Sequence, residues 1–299
     1  MTQQNSRAAL ETRGISFTYQ EGTKALLDVD FIAQDGKFTA LLASNGSGKT
    51  TLLKALVGLI KPQTGQVLVE GGDIRSMSSA RLYGKVGMVF QNPDDQLFAP
   101  TVAEDVAFGP RNMDLPEAEV KARVEEALFK VCAGHLAGKA VHHLSYGEKK
   151  RVALAGTLAM GPKILILDEP TAGLDPMGEE GMTRLLSDLN RESGVTVVLA
   201  THSIDLLPLF ADRIFVLKNG RAIMNGTAEE IFRDQEMLKS AGLRLPYVSA
   251  LLHQLKHYDG VPINGLPLTI GEARKRMLEH IPESALVKSL IKEPDDERT

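Results

Sequence analysis

Short apolar runs alternate with longer stretches of helical spacing through most of this chain. Phe38-Thr39-Ala40-Leu41-Leu42, Val86 to Phe90, Ile164 to Leu167, Val195 to Leu199 and Ile214 to Leu217 are of strand length, which predicts buried strands. Thr50 to Val57 reads as a helix stopped at Gly58, and Glu117 to Val131 also runs with helical spacing. Thr101-Val102-Ala103-Glu104 has the pattern of a capping box and opens a helical stretch reaching about Met160. Over residues 8–233 the alternation predicts α/β layers, with the helical stretch, about 92–160, as a distinct lobe. No internal repeat is present, so the chain carries one such unit.

Beyond Arg233 the pattern changes. Ala241-Gly242-Leu243-Arg244-Leu245-Pro246 breaks the chain, two or three helices follow, and Thr269-Ile270-Gly271-Glu272 looks like a further cap. Residues 234–299 are therefore expected to form a small helical extension without chemistry of its own, ending in a charged, frayed segment from Glu293 to Thr299.

Composition narrows the class. With 299 residues, 43% hydrophobic and 24% charged, the chain has the makeup of a soluble globular protein of one large or two modest domains. A net charge of −4 gives no bulk electrostatic support for a nucleic-acid partner. The single cysteine, Cys132, excludes an internal disulfide framework and fits a reducing compartment. Met1 to Arg7 lacks the apolar core of a signal peptide, and no run approaches the roughly 18 apolar residues of a spanning helix. If the protein serves a membrane process, a partner must supply the membrane part.

Two loops carry the chemistry. Ala43-Ser44-Asn45-Gly46-Ser47-Gly48-Lys49-Thr50-Thr51 joins a strand to a helix, and a glycine-rich turn there lets backbone N–H groups converge on an anion. Lys49 would reach the β- and γ-phosphates and the Thr50 hydroxyl would hold Mg²⁺. The phosphate-loop pattern asks for glycine where Ala43 stands, and a Cβ would crowd the turn if that residue needed positive φ. Lys163 to Pro170 is an apolar strand delivering Asp168 and Glu169 at its carboxyl end. Asp168 suits the Mg²⁺ shell and Glu169 the attacking water, although two acids can also simply cap a strand edge. Gln91, after the strand ending at Phe90, could touch Mg²⁺ or the water while sensing what binds Asn92 to Phe98. Leu97 and Phe98 in that segment are expected to be exposed. His202 follows an apolar strand and could bond the γ-phosphate, or be an ordinary structural histidine. Tyr19 could stack on an adenine ring or be filler at a strand end.

The second loop is Leu144-Ser145-Tyr146-Gly147-Glu148. Its S-x-x-E spacing is that of a capping box, yet a capped helix N-terminus is also an anion site, so both readings stand.

Taken together, these motifs resemble those of the nucleotide-binding subunits of ATP-binding-cassette transporters, over about Leu10 to Arg233. Ala43 to Thr50 is similar to the Walker A loop, Ile164 to Asp168 to the Walker B strand with Glu169 as catalytic glutamate, and Gln91 to the Q-loop glutamine. Leu144 to Glu148 resembles the signature motif, Ala172-Gly173-Leu174-Asp175 the D-loop, His202 the switch and Tyr19 the adenine-stacking position. The resemblance implies a RecA-like α/β core, an antiparallel β subdomain and a helical signature lobe. It also implies ATP and Mg²⁺ as cofactors and a second nucleotide-binding subunit, identical or related, as partner. Ser44, Asn45, Gly46, Ser47, Gly48, Lys49, Thr50 and Thr51 would then bind nucleotide in one subunit, and Ser145, Gly147 and Glu148 that of the other. Tyr146 and Glu148 depart from the usual Gly and Gln.

Val89 to Phe98, Glu104 to Pro110 and Leu144 to Gly156 further resemble energy-coupling-factor importers, and Ala241-Gly242-Leu243 with the helical tail their cobalt and nickel branch. That implies a transmembrane coupling subunit and a membrane substrate-capture subunit as partners, and a peripheral place on the cytoplasmic face of the membrane. Vitamin import, a soluble cassette ATPase and a homologue with dead chemistry are the competing expectations. His253 and His257 share a helix face, but Leu251, Leu252 and Leu255 favour a packing helix over a metal sensor.

Overall fold

Beyond the phosphate loop, the parallel strands expected to be buried alternate their side chains between two apolar layers. In the computed structural model, which describes residues 7–281, strands β1 (Ala8–Thr18), β2 (Lys24–Gln34) and β3 (Phe38–Ala43) lead into helix α1 (Lys49–Leu56). They are followed by β4 (Thr64–Val69), β5 (Gly72–Asp73), α2 (Ser79–Tyr83) and β6 (Val86–Val89). Helices α3 (Val102–Asn112), α4 (Glu117–Lys130) and α5 (Tyr146–Ala159) form the helical stretch. Then come β7 (Ile164–Asp168), α6 (Pro176–Ser193), β8 (Thr196–Thr201), β9 (Arg213–Lys218) and β10 (Arg221–Gly226). Helices α7 (Ala228–Arg233), α8 (Gln235–Ser240), α9 (Tyr247–His257) and α10 (Ile270–Leu278) complete the described chain.

One sheet runs in the order β10-β9-β3-β8-β7-β6 and is parallel except at the β10 edge. Every residue of β3, β7 and β8 is buried, because helices or a second sheet cover both faces. In β3, Phe38, Ala40 and Leu42 join the core shared with the helical lobe, while Leu41 and Ala43 join the core against the other sheet. Emptying such a position, as in Leu41→Ala, costs about 2–5 kcal/mol. The register sets Asp168 beside Ala200 and Leu42 beside Thr201, so the carboxyl ends of β3, β7 and β8 lie together. That edge is where ligands bind in open α/β sheets.

The second sheet, β2-β1-β4-β5, is antiparallel. Sequence pattern alone gave no strand boundaries for it, since its alternation is broken by register shifts around Gly14 and by Asp28, which has φ 55°. The helices match expectation more closely. Thr101 closes a full capping box with Glu104, α4 ends at Lys130 with Val131 as its cap, and the Thr269 hydroxyl accepts from Glu272 N.

The extension is broken where its composition indicates, with Gly242 at φ +71° after α8. Its first part is not an appendage: Leu238, Ala241 and Leu243 are buried in the main core, and only Leu252, Ile263 and Ala273 form a separate small cluster. The charged terminus from Glu293 lies outside the described residues. No helix among the described residues is long and apolar enough to cross a membrane.

Candidate active site

The phosphate loop is shaped by backbone sterics. Gly48 sits at φ 95° as the N-cap of α1, and a Cβ there would come within 2.2 Å of the Ala25 carbonyl oxygen, so only glycine fits. No side chain caps α1, which leaves its first N–H groups directed at the loop. Ser44 and Ser47 pair their hydroxyls at 2.8 Å, Ser47 N donates to Ser44 O and Gly220 N donates to Ser47 O. Ser47 is thus a buried brace within the loop, while Asn45 and Gly46 are exposed. Ala43 is fully buried in β3 and is not among the described non-glycine residues with positive φ. Its methyl faces the apolar core, and the crowding that its Cβ threatened does not arise.

Opposite the loop, β7 delivers its two acids to different surroundings. Thr50 Oγ1 donates to Asp168 Oδ2 at 2.7 Å, whereas Asp168 Oδ1 is buried without a hydrogen-bond partner. Burial raises the Asp168 pKa, against the pull of Thr50 and Lys49. An orphaned buried carboxylate oxygen beside a threonine hydroxyl fits a hard, oxygen-liganded divalent cation. Glu169, the next residue, takes φ 48°, rare for a side chain of its size. Its N–H donates to Ala200 O at 2.9 Å, and its carboxylate lies between the Lys49 ammonium, an ion pair, and His202 Nδ1 at 2.9 Å.

Lys150 holds the same turn from the other side, and sequence reasoning missed it. From α5 its ammonium donates to Glu169 O at 2.9 Å and to Gln91 O at 3.3 Å, and it lies 5.3 Å from the Tyr146 ring centroid. Burial lowers its pKa to about 8, against the attraction of Glu169 and Asp168. One buried cation therefore links the Gln91 turn, the Glu169 turn and α5. The only hint in the sequence was a lysine within an apolar-faced helix, and that reads as solvated until the fold turns it inward.

Gln96 was missed as well. Its side chain accepts from Phe90 N at 3.1 Å and donates to Ala153 O and Thr157 Oγ1, while the buried Asp105 carboxylate accepts from Phe98 N and Ala99 N. These bonds fix the segment after Gln91 against α5 and α3. They also correct one expectation: Leu97 is buried at 8% exposure, because the turn folds it into the lobe's core. Phe98 stays 64% exposed and packs edge-on against exposed Phe108 at 4.7 Å.

A cleft of about 850 Å³ opens over these groups, its wall including Tyr19, Ser44, Lys49, Gln91, Glu169 and His202. Asn45, Gly46, Gly48, Thr50 and Thr51 line it as well. Tyr19 OH lies 2.9 Å from Thr51 Oγ1 and its ring meets the Phe17 ring in a T-shaped pair, which holds it at the cleft wall beside the helix start. A volume of this size suits a ligand of nucleotide dimensions.

Ser145, Gly147 and Glu148 do not line this cleft. Ser145 Oγ accepts from Glu148 N, and the Glu148 carboxylate accepts from Ser145 N at 2.6 Å and pairs with Lys139 at 3.2 Å. The Glu148 side chain is thereby engaged in the cap of its own helix. Tyr146 lies against the Ala172-Gly173-Leu174-Asp175 turn, where a Cβ on Gly173 would come within 3.0 Å of its ring. Gly173 thus leaves room for the aromatic ring that replaces a glycine.

A phosphate loop, an acid-bearing strand end and a capped helix presented elsewhere define an ATPase of the cassette class. The ABC transporter family profile matches residues 26–172. The chain is 48% identical over 274 residues, 90% of its length and 98% of the relative's, to the energy-coupling factor transporter ATP-binding protein EcfA of Methanosphaera stadtmanae. In fold it matches cbiO1 of Clostridium perfringens, part of the ABC transporter complex cbiONQ, with TM-score 0.71 and 43% identity, covering 83% of this chain and 99% of that one. A dimeric ATP-binding cassette in a post-hydrolysis state, bound to ADP and Pi, matches at TM-score 0.66 and 30% identity, with 73% and 98% covered. The chain belongs to the energy-coupling-factor group of ABC transporter ATP-binding proteins, and it is an ATPase subunit coupled to transport.

Proposed function

We propose that this subunit hydrolyses Mg²⁺-ATP in a dimer of cassettes and thereby powers the import of cobalt or nickel ions. The observation that carries the catalytic reading is the Glu169 carboxylate held between Lys49 and His202, next to an Asp168 oxygen left without a partner. Asp168, Thr50 and Gln91 would hold Mg²⁺, which would supply charge neutralisation for the transferring phosphoryl group. Phosphate oxygens compete for the Lys49 ammonium and so release one Glu169 oxygen to orient the water. His202 steadies that carboxylate and reaches for the γ-phosphate, and Tyr19 carries the adenine. Ser145 and Gly147 present a capped helix N-terminus, with its positive dipole end, to nucleotide on the second subunit.

The remaining assignments extend this scheme. The exposed Phe98 and Phe108 pair, in continuity with Gln91, receives the transmembrane coupling subunit at the cytoplasmic face of the membrane, and a separate membrane subunit captures the cargo. Metal cargo is supported by the resemblance of Ala241-Gly242-Leu243 and the tail to the cobalt and nickel branch, and by likeness to cbiO1. His253 and His257 stack at 4.2 Å, and burial and neighbouring positive charge lower the pKa of His253. In this scheme the two histidines hold no metal. Phosphate release by the purified chain, lost in Lys49→Ala, tests the catalytic reading. Uptake by the assembled complex tests the cargo: cobalt or nickel uptake should vanish with Lys49→Ala and persist in a His253→Ala, His257→Ala double variant. Vitamin uptake in its place would overturn the metal reading.

A further inference from the structure

The wall of the cleft is not made by the cassette alone. Gly242, Leu243 and Arg244, from the break that opens the extension, line it together with His202 and Ile204. On one side the extension abuts the phosphate loop: a Cβ on Gly242 would meet Ser44 Cβ at 3.5 Å and its Oγ at 3.9 Å. On the other it grips the loop that carries His202. Arg244 donates through both terminal nitrogens to Asp205, at 2.5 and 3.2 Å, and Tyr247 N donates to Asp205 Oδ1 at 2.7 Å. The Arg244 guanidinium also stacks on the Tyr247 ring at 3.7 Å. Burial pushes the Asp205 pKa up, but the Arg244 and Tyr247 donors outweigh it and hold the carboxyl low.

His202 itself has little to hold it. Its side chain is 66% exposed, and its side-chain bond is to Glu169. Beyond Glu169 and the end of β8, its position depends on the backbone of the loop that follows. That backbone is fixed by the Ser203 bonds to Thr201 Oγ1 at 3.0 Å and Glu179 at 2.6 Å, by the buried Ile204, and by the Asp205 clasp. Among these ties only the clasp leads to the extension.

We propose that Arg244 and Asp205 are positioning residues for His202, and that through them residues 241–247 couple the extension to the state of the nucleotide site. The inference rests on the ATPase reading given above. A bidentate pair backed by a stacked aromatic ring forms or breaks as a unit, so its loss on one side would be felt on the other. Coupling of this kind is reciprocal. The extension tunes hydrolysis, and nucleotide alters the extension.

The full-length chain tests both directions. Arg244→Ala should lower kcat for ATP by about three- to tenfold with KM nearly unchanged, as expected when an interaction in the transition state is lost. Arg244→Lys, which keeps charge but loses the fork, should recover part of it. The exchange Asp205→Arg with Arg244→Asp should recover more than either single change. Hydrogen exchange gives a readout independent of turnover. Mg²⁺ with a non-hydrolysable ATP analogue should slow exchange of the amides at the start of α9 in the native chain, and this response should disappear in Arg244→Ala. A native chain that binds the analogue without any change there, or an Arg244→Ala chain with native kcat, overturns the proposal. Failure of the native chain to bind or hydrolyse ATP would instead strike the ATPase reading itself.

Discussion

The carboxyl end of β7 and the start of α5 both present polar groups near the site, and they differ in what they still require. At β7 an acid oxygen on Asp168 is buried with its hydrogen-bonding capacity unmet, and Glu169 is strained in φ and pulled between two partners. At α5 the demands are met within the chain: Ser145 and Glu148 cap each other, and Lys139 neutralises the carboxylate. In the proposed scheme a cation and a phosphate would complete the first region. The second is a finished helix end outside the lining of its own cleft, and in the proposed scheme it acts against a second subunit's nucleotide. An unmet buried polar group calls for a partner from outside the chain, whereas the capped end of α5 calls for none.

The sharpest way to break this comparison is to remove the strained acid. Glu169→Gln should lower kcat by about 10²-fold or more, since positioned general bases contribute that much, while nucleotide binding persists. Phosphate release and equilibrium nucleotide binding on the same preparation check it. Native-like turnover would deprive the β7 end of its chemical role.

Ser145→Arg probes the other side. It should remove hydrolysis by a homogeneous preparation, with loss of the cap costing only about 1 kcal/mol of stability, read as a small fall in Tm. Mixed with Lys49→Ala chains, it should regain activity, because one composite site then has both intact elements. A mixture no more active than its parts would contradict completion by a second subunit.

Lys150 joins the two regions, so its loss should be intermediate. Hydrogen bonds from charged groups are worth roughly 1.5–3 kcal/mol, so Lys150→Met should lower kcat by about 10- to 100-fold with a smaller effect on KM. Steady-state kinetics over a range of ATP concentrations would separate the two constants. The smallest effect on hydrolysis belongs to Phe98→Asp, which should leave the ATPase of the isolated chain unchanged and weaken co-purification with the membrane subunits. Retained assembly would remove the Phe98 and Phe108 pair from the docking surface.

The elements most legible in the sequence were those dictated locally. Five buried strands, the phosphate loop and the Thr101 and Ser145 caps follow from apolar runs and short polar spacings, and the structure has each of them within a residue or two. The antiparallel sheet was legible only through family resemblance. Its pairing spans residues far apart, as with Leu10 and Val69, and its bulges erase the period of two. Leu97 was read as exposed because a loop sequence does not say which of two adjacent apolar residues turns inward.

By itself the chain determined which residues could bind phosphate and carry acid, because that depends on residue type at short spacing. Only the tertiary structure decided that Ala43 is harmless in a strand, that Lys150 turns into the site, that Glu148 serves its own helix, and that Arg244 reaches the cleft wall. Each of these rests on a contact between segments separated in sequence, where burial and donor geometry, set by packing, choose the partner.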